Sequence, residues 1–238
     1  MTQQREKCAG VLGGMGPDAT VDFMNRLLRL VDAKEDADHI RCIVDNNPKV
    51  PSRIKALFEG NGEDPGPCLV DMARRLEAWG ADFLAMPCNT AHHYHEHIQN
   101  AVRIPVLNMI ELAAQSVRQK FPHARKVGIL ATTATLRVGL YEKAFAERGM
   151  ETIYPDAPEQ AALLALIKSI KAGGIGDAQR AALVATGRHV LEKGAQALVL
   201  ACTELSVVAP PEGALPFVDA SQSLAEETVA IAKQGKAL

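Results

Sequence analysis

Gly10-Val11-Leu12-Gly13-Gly14-Met15-Gly16-Pro17 and Gly128-Ile129-Leu130-Ala131-Thr132-Thr133-Ala134-Thr135 share one build. Each closes a short apolar run, passes through a turn of small or polar residues and opens an amphipathic stretch. A second pair extends the match. Phe83-Leu84-Ala85-Met86-Pro87-Cys88-Asn89-Thr90 corresponds to Leu198-Val199-Leu200-Ala201-Cys202-Thr203-Glu204. Cys88 follows Gly10 by 78 positions, and Cys202 follows Gly128 by 74. Self-similarity at such matched offsets predicts one structural plan used twice.

Between these landmarks, β-branched apolar runs alternate with helical patterns. Strands are expected at Cys8–Leu12, Ile40–Asp45, Phe83–Met86, Val106–Asn108, Val127–Leu130, Thr152–Tyr154, Ala197–Ala201 and Phe217–Asp219. Helices are expected at Asp18–Val31, Pro67–Trp79, Met109–Lys120, Thr135–Arg148, Glu159–Ala172, Gly176–Lys193 and Ser221–Lys236. The first helix offers Val21, Met24, Leu27, Leu28 and Val31 as its apolar face. Pro48–Pro67 reads as a loop with a short helix at Ile54–Phe58, placed to cover a site. Strand–helix alternation predicts βαβ units and parallel sheets. The expected fold is α/β: two similar parallel-sheet lobes related by a pseudo-two-fold axis, with the active site in the cleft between them. The first lobe takes residues 1–105 and 212–238, and the second takes 106–211.

The composition narrows the function. The 238 residues carry 26 basic and 28 acidic side chains and only 4% aromatics. With no long basic run and no aromatic series, nucleic acid is not an expected partner. The longest apolar runs fall far short of the roughly 20 residues that span a bilayer, so no membrane segment is expected. The N-terminus lacks the apolar core and cleavage site of a signal peptide. Five cysteines, scattered at 8, 42, 68, 88 and 202 without a Cys-x-x-Cys, point to a reducing cytoplasm and to neither a disulfide framework nor a zinc ribbon.

Among these cysteines, Cys8, Cys42 and Cys68 read as small packing residues. Cys88 and Cys202 differ, because both stand just beyond the carboxyl end of an apolar strand, where open parallel sheets bind ligands. Two like groups at equivalent positions suit one reaction. To invert a stereocentre by deprotonation, one base removes the α-proton and a second group returns a proton from the opposite face. A thiol ordinarily titrates near 8.5, and a helix start favours its thiolate. Backbone N–H groups of Asn89, Thr90, Thr203 and Glu204 are candidates to hold the α-carboxylate as charge grows on deprotonation. Thr90 and Thr203 also suit ordinary helix capping.

At these residues the chain resembles the aspartate/glutamate racemase superfamily, and within it the aspartate racemase branch. The resemblance rests on Leu12-Gly13-Gly14-Met15-Gly16-Pro17, Asn46-Asn47-Pro48-Lys49-Val50-Pro51-Ser52-Arg53, Pro87-Cys88-Asn89-Thr90-Ala91-His92 and Ala201-Cys202-Thr203-Glu204-Leu205. It implies two α/β lobes, an amino-acid substrate, a homodimer, and no pyridoxal phosphate or metal. It makes Cys88 and Cys202 the two bases. Asn89, Thr90, Thr132, Thr133 and Thr203 would hold the α-substituents, with Gly14, Met15, Asn47 and Glu204 counted among the substrate contacts. Arg53 would pair with a side-chain carboxylate, which its guanidinium fork suits. Lys171 would be a second cationic contact, with Lys168 its competitor. Ser52 stands where an acidic residue is expected in many aspartate racemases, which leaves open the choice between aspartate and glutamate. Hydantoin racemase and maleate isomerase chemistry also use two cysteines.

Other readings compete. Gly14-Met15-Gly16-Pro17-Asp18-Ala19 loosely fits a dinucleotide turn, with Asp45 ending the second strand. That reading explains neither the second turn nor the paired cysteines, and Asp18 would repel a pyrophosphate. His92-His93-Tyr94-His95-Glu96-His97 offers two histidines per helix face but no third metal ligand at a familiar spacing. A non-catalytic amino-acid sensor on the same two lobes is a further alternative.

Overall fold

A computed structural model describes residues 6–234 and divides the chain into two units, Met1–Met109 with Leu224–Leu238, and Ile110–Ser223. In the first unit β1 (Ala9–Gly13) runs between β2 (Cys42–Asn46) and β3 (Phe83–Ala85), all parallel. One parallel bridge from Leu84 to Val106 adds a fourth position beyond β3. The strand expected at Val106–Asn108 shrinks to that bridge; Pro105, just before it, has no N–H to extend the ladder. In the second unit β4 (Lys126–Ala131) runs between β5 (Glu151–Ile153) and β6 (Ala197–Ala201), and β7 (Phe217–Asp219) pairs with β6. Each sheet therefore reads second, first, third, fourth across its width. β1 and β6 are buried along their whole length, as strands covered on both faces must be.

The helices are α1 (Pro17–Leu30), α2 (Gly66–Ala78), α3 (His95–Ala101), α4 (Met109–Lys120), α5 (Thr133–Val138), α6 (Leu140–Ala146), α7 (Ala157–Lys171), α8 (Asp177–Glu192), α9 (Thr203–Val207) and α10 (Ala220–Gln234). The Pro48–Pro67 loop winds a π-helical turn at Lys55–Glu59. α2 ends against Trp79, which is 73% exposed.

Three expectations need correction. The buried side of α1 is Ala19, Thr20, Phe23 and Leu27, while Val21 and Leu28 are 58% and 50% exposed. Thr20 sets that rotation: its hydroxyl accepts from the Gly14 N–H at 2.8 Å and donates to the Gly16 carbonyl at 3.1 Å. The helix expected at Thr135–Arg148 is two helices, because Gly139 adopts φ 68° and closes α5 before α6 begins. The segment 212–223, expected in the first lobe, groups with the second unit, since β7 hydrogen-bonds to β6.

The matched glycines have a packing reason. A Cβ on Gly10 would stand 2.6 Å from Leu84 and 2.8 Å from Ala81; one on Gly128 would stand 2.5 Å from Val190 and 2.6 Å from Leu198. Each first strand thus admits its neighbours only without a side chain. Separate apolar cores form around Leu12, Leu76, Leu84 and Met86 in the first unit and around Leu130, Leu163, Leu198 and Leu200 in the second.

Candidate active site

A parallel sheet ordered second, first, third sends the chain in opposite directions from the ends of its first and third strands. A crevice opens there, and that is where such sheets bind ligands. In the first unit this point lies between β1 and β3. The exits of those strands carry Gly14-Met15 and Cys88-Asn89-Thr90. In the second unit it lies between β4 and β6, whose exits carry Thr132-Thr133 and Cys202-Thr203-Glu204. Each unit therefore brings one cysteine to its own switch point.

In the first unit Cys88 is buried, and its carbonyl is within 2.9 Å of His92 Nδ1. His92 Nε2 accepts from the Met109 N–H at 3.0 Å. That acceptor role fixes the tautomer: Nδ1 carries the hydrogen and donates to Cys88. Burial pulls the imidazole down to about 4, so it stays neutral at physiological pH. His92 thus braces the Cys88 backbone and has no nitrogen left for a metal. Its neighbour His95 places Nε2 2.9 Å from the Val106 carbonyl. Among the described residues, the one His/Asp/Glu group close enough to share an ion lies elsewhere, at Asp156, Glu159 and His189, where Lys193 already pairs with Asp156.

The turn after β1 is held tightly. Gly14 has φ 89°, and a Cβ there would fall 2.3 Å from the Asn47 backbone. Asn47 anchors its own loop, with Nδ2 3.6 Å from Cys68 Sγ and from Met72 Sδ. Arg53 donates to the carbonyls of Val50, Pro51 and Met15 at 3.3, 2.9 and 3.1 Å. It ties the 50–53 loop to the turn after β1, and its buried Nε has no acceptor among the described residues.

In the second unit Cys202 is the N-cap of α9. Its thiol donates to Glu204 Oε2 at 3.0 Å, and Lys171 Nζ lies 2.5 Å from Glu204 Oε1. Lys171, at the end of α7, reaches this group although its side chain is 39% exposed; Lys168, one turn earlier, is exposed as well. The helix start does favour the thiolate, through the Glu204 backbone N–H, but it is outweighed. Burial pushes the Cys202 thiol well above its ordinary range, the Glu204 charge and side-chain hydrogen bond add to it, and Lys171 and that backbone N–H oppose. One short helical turn cannot offset that desolvation. Thr203 is buried in the first turn of α9. Thr132 caps α5 by accepting from the Thr135 N–H at 3.2 Å, and Thr133 beside it is half-buried.

Sequence reasoning missed Gln160. It is 9% exposed, its amide donates to the Ala131 carbonyl at the end of β4 at 2.9 Å, and its Oε1 is buried with no donor among the described residues. The signal was present: a polar residue stands on the face of α7 that buries Leu163, Leu166 and Ile167.

The Asp/Glu/hydantoin racemase family model matches residues 12–228. This chain belongs to that family. The broad specificity amino-acid racemase RacX of Bacillus subtilis (strain 168) is 31% identical over 226 residues, covering 92% of this chain and 96% of that protein. The structure of Picrophilus torridus aspartate racemase is 33% identical, with a TM-score of 0.80 over 98% of this chain and 96% of that one. An aspartate racemase homologue from Pyrococcus horikoshii shares the fold at 23% identity, with a TM-score of 0.74 over 95% and 99% of the two chains. The family member described here is a racemase, an isomerase of amino acids with a two-lobe α/β fold.

Proposed function

We propose that the enzyme racemises aspartate, glutamate or a close analogue without a cofactor, one of Cys88 and Cys202 removing the α-proton and the other delivering its own proton to the opposite face. The observation that carries this reading is the placement of one cysteine at the equivalent strand exit of each sheet. The mechanism requires the two thiols to reach one Cα from opposite faces, one as thiolate and the other as thiol, so their titrations belong to the pair. Main-chain N–H groups beside each cysteine would steady the carboxylate as the carbanion forms. The orphaned Arg53 Nε supports an anionic group near the turn after β1. Neither pyridoxal phosphate nor a metal is assigned a step.

A broader substrate range is the second reading. It is favoured by the resemblance to a racemase of broad specificity and by the three carbonyls that already occupy the Arg53 guanidinium. Incubating the full chain in D2O with aspartate, glutamate, neutral amino acids, a hydantoin and maleate separates these cases by NMR. Exchange and inversion of the acidic amino acids without added cofactor is the expected result; reaction of the hydantoin or maleate alone would overturn it. Cys88→Ala and Cys202→Ala should each cut racemisation about a hundredfold or more. Full activity in either rejects the two-base mechanism. Arg53→Ala should damage acidic substrates more than neutral ones, and equal damage removes it from substrate recognition. We also propose that the enzyme works in the cytoplasm as a homodimer.

A further inference from the structure

Cys202 Sγ, the Glu204 carboxylate and Lys171 Nζ form one chain: thiol to Oε2 at 3.0 Å, Oε1 to ammonium at 2.5 Å. Glu204 is only 5% exposed, and an ionised carboxylate in such a place is strongly disfavoured unless partnered. Its charge also works against ionising the thiol. If Cys202 merely had to rest as a thiolate, a buried carboxylate beside it would be counterproductive. The placement makes sense if the carboxylate is where the thiol proton goes.

We propose that Glu204 is a positioning residue that takes the Cys202 proton, and that Lys171 holds the carboxylate in register for the transfer. This rests on the two-cysteine reading above and deepens it. The S–H bond breaks, an O–H bond forms on Glu204, and the electron pair stays on sulfur. The thiolate removes the α-proton, re-forming S–H and leaving the pair on Cα. The Cys88 thiol delivers its proton to the other face and becomes a thiolate. Glu204 then releases its proton to water and Cys88 takes one from water. No oxidant or cofactor is consumed.

Besides Glu204 and Lys171, the ionisable group that senses Cys202 is Tyr141 on α6, with Asp219 and Tyr154 near it. Burial holds Tyr141 far above its ordinary value, so it stays neutral. Glu204 and Lys171 therefore set the local charge with opposite signs.

The test uses the full chain with L- and D-aspartate, or L- and D-glutamate if that is the acid turned over. Enantiomers have equal free energies, so kcat/KM must fall equally in both directions. Exchange without inversion has no such constraint. Glu204→Gln should lower kcat about a hundredfold with KM changed less than about threefold. The deficit should shrink at high pH, where hydroxide takes the thiol proton, and Glu204→Asp should recover part of the rate. Solvent exchange should fail for the enantiomer whose α-proton faces Cys202 and persist for the other. Lys171→Met should move the Cys202 limb of the pH profile upward, because Lys171 is the charge that lowers it. A Glu204→Gln enzyme with unchanged kcat and pH profile, or with only a raised KM, overturns the proposal. If Glu204→Gln does not fold, unchanged pH profiles in Glu204→Asp and Lys171→Met overturn it instead. An inactive Cys202→Ala beside a fully active Glu204→Gln removes only the relay, whereas an active Cys202→Ala removes the two-cysteine reading itself.

Discussion

His92 shows how a buried polar side chain can hold the cysteine proposed as a base without touching its sulfur. Both ring nitrogens are engaged, on the Cys88 carbonyl and the Met109 N–H. Its imidazole titrates near 4 when folded, against 6.5 ordinarily, so the folded state disfavours its protonation. Its contribution is complete above pH 6.5 and is lost as pH falls toward 4. At about 1.4 kcal/mol per unit, roughly 3 kcal/mol disappears across that window. Chemical denaturation from pH 7 to 4 should show this slope in the wild type and lack it in His92→Gln. An equal slope in both would assign the acid sensitivity to other groups. The repeat made Cys88 and Cys202 legible in the sequence. His92 stood out too, four residues after Cys88 in the motif that carries the resemblance, but the geometry of its brace was not legible, because its second partner is a main-chain N–H supplied by the start of α4. The Lys171–Glu204 pair was half-legible: both residues stood out as candidates, but their contact depends on how the end of α7 meets α9.

At the scale of elements, the glycines of β1 and β4 do the same work. Gly128→Val should destabilise by at least about 1–3 kcal/mol, because the new side chain must displace Val190 and Leu198. Urea unfolding measures this, and a neutral result would mean the helix over β4 yields easily. Gly139→Ala should cost about 1 kcal/mol through its φ of 68°, with activity retained. Apolar periodicity located α1 but misjudged its rotation. Val21, Met24 and Leu28 satisfy a helical stripe as well as Ala19, Phe23 and Leu27 do. A threonine hydroxyl bonded to the preceding turn decided between them, and hydrophobicity does not encode that bond.

For the whole molecule, the duplicated motifs implied one plan used twice, while the strand order second, first, third, fourth in both sheets emerges only from the pairing. The division of the chain was less legible, since β7 is three residues long and declares its sheet only by pairing with β6. The stripe of Val21 and Leu28 that α1 leaves exposed gives the proposed homodimer an apolar surface to bury. Sedimentation should find a dimer, and Val21→Glu with Leu28→Glu should shift it toward monomer. A dimer unaffected by both changes would locate the interface on another surface.

Trp79, the sole tryptophan, already stands 73% in solvent after α2. Its emission should therefore resemble that of an unfolded chain, and its wavelength should move little on denaturation. Intrinsic fluorescence would make this enzyme look unresponsive to denaturant while its cores dissolve. Far-UV circular dichroism follows the helices directly and is the better optical signal for every stability change forecast above.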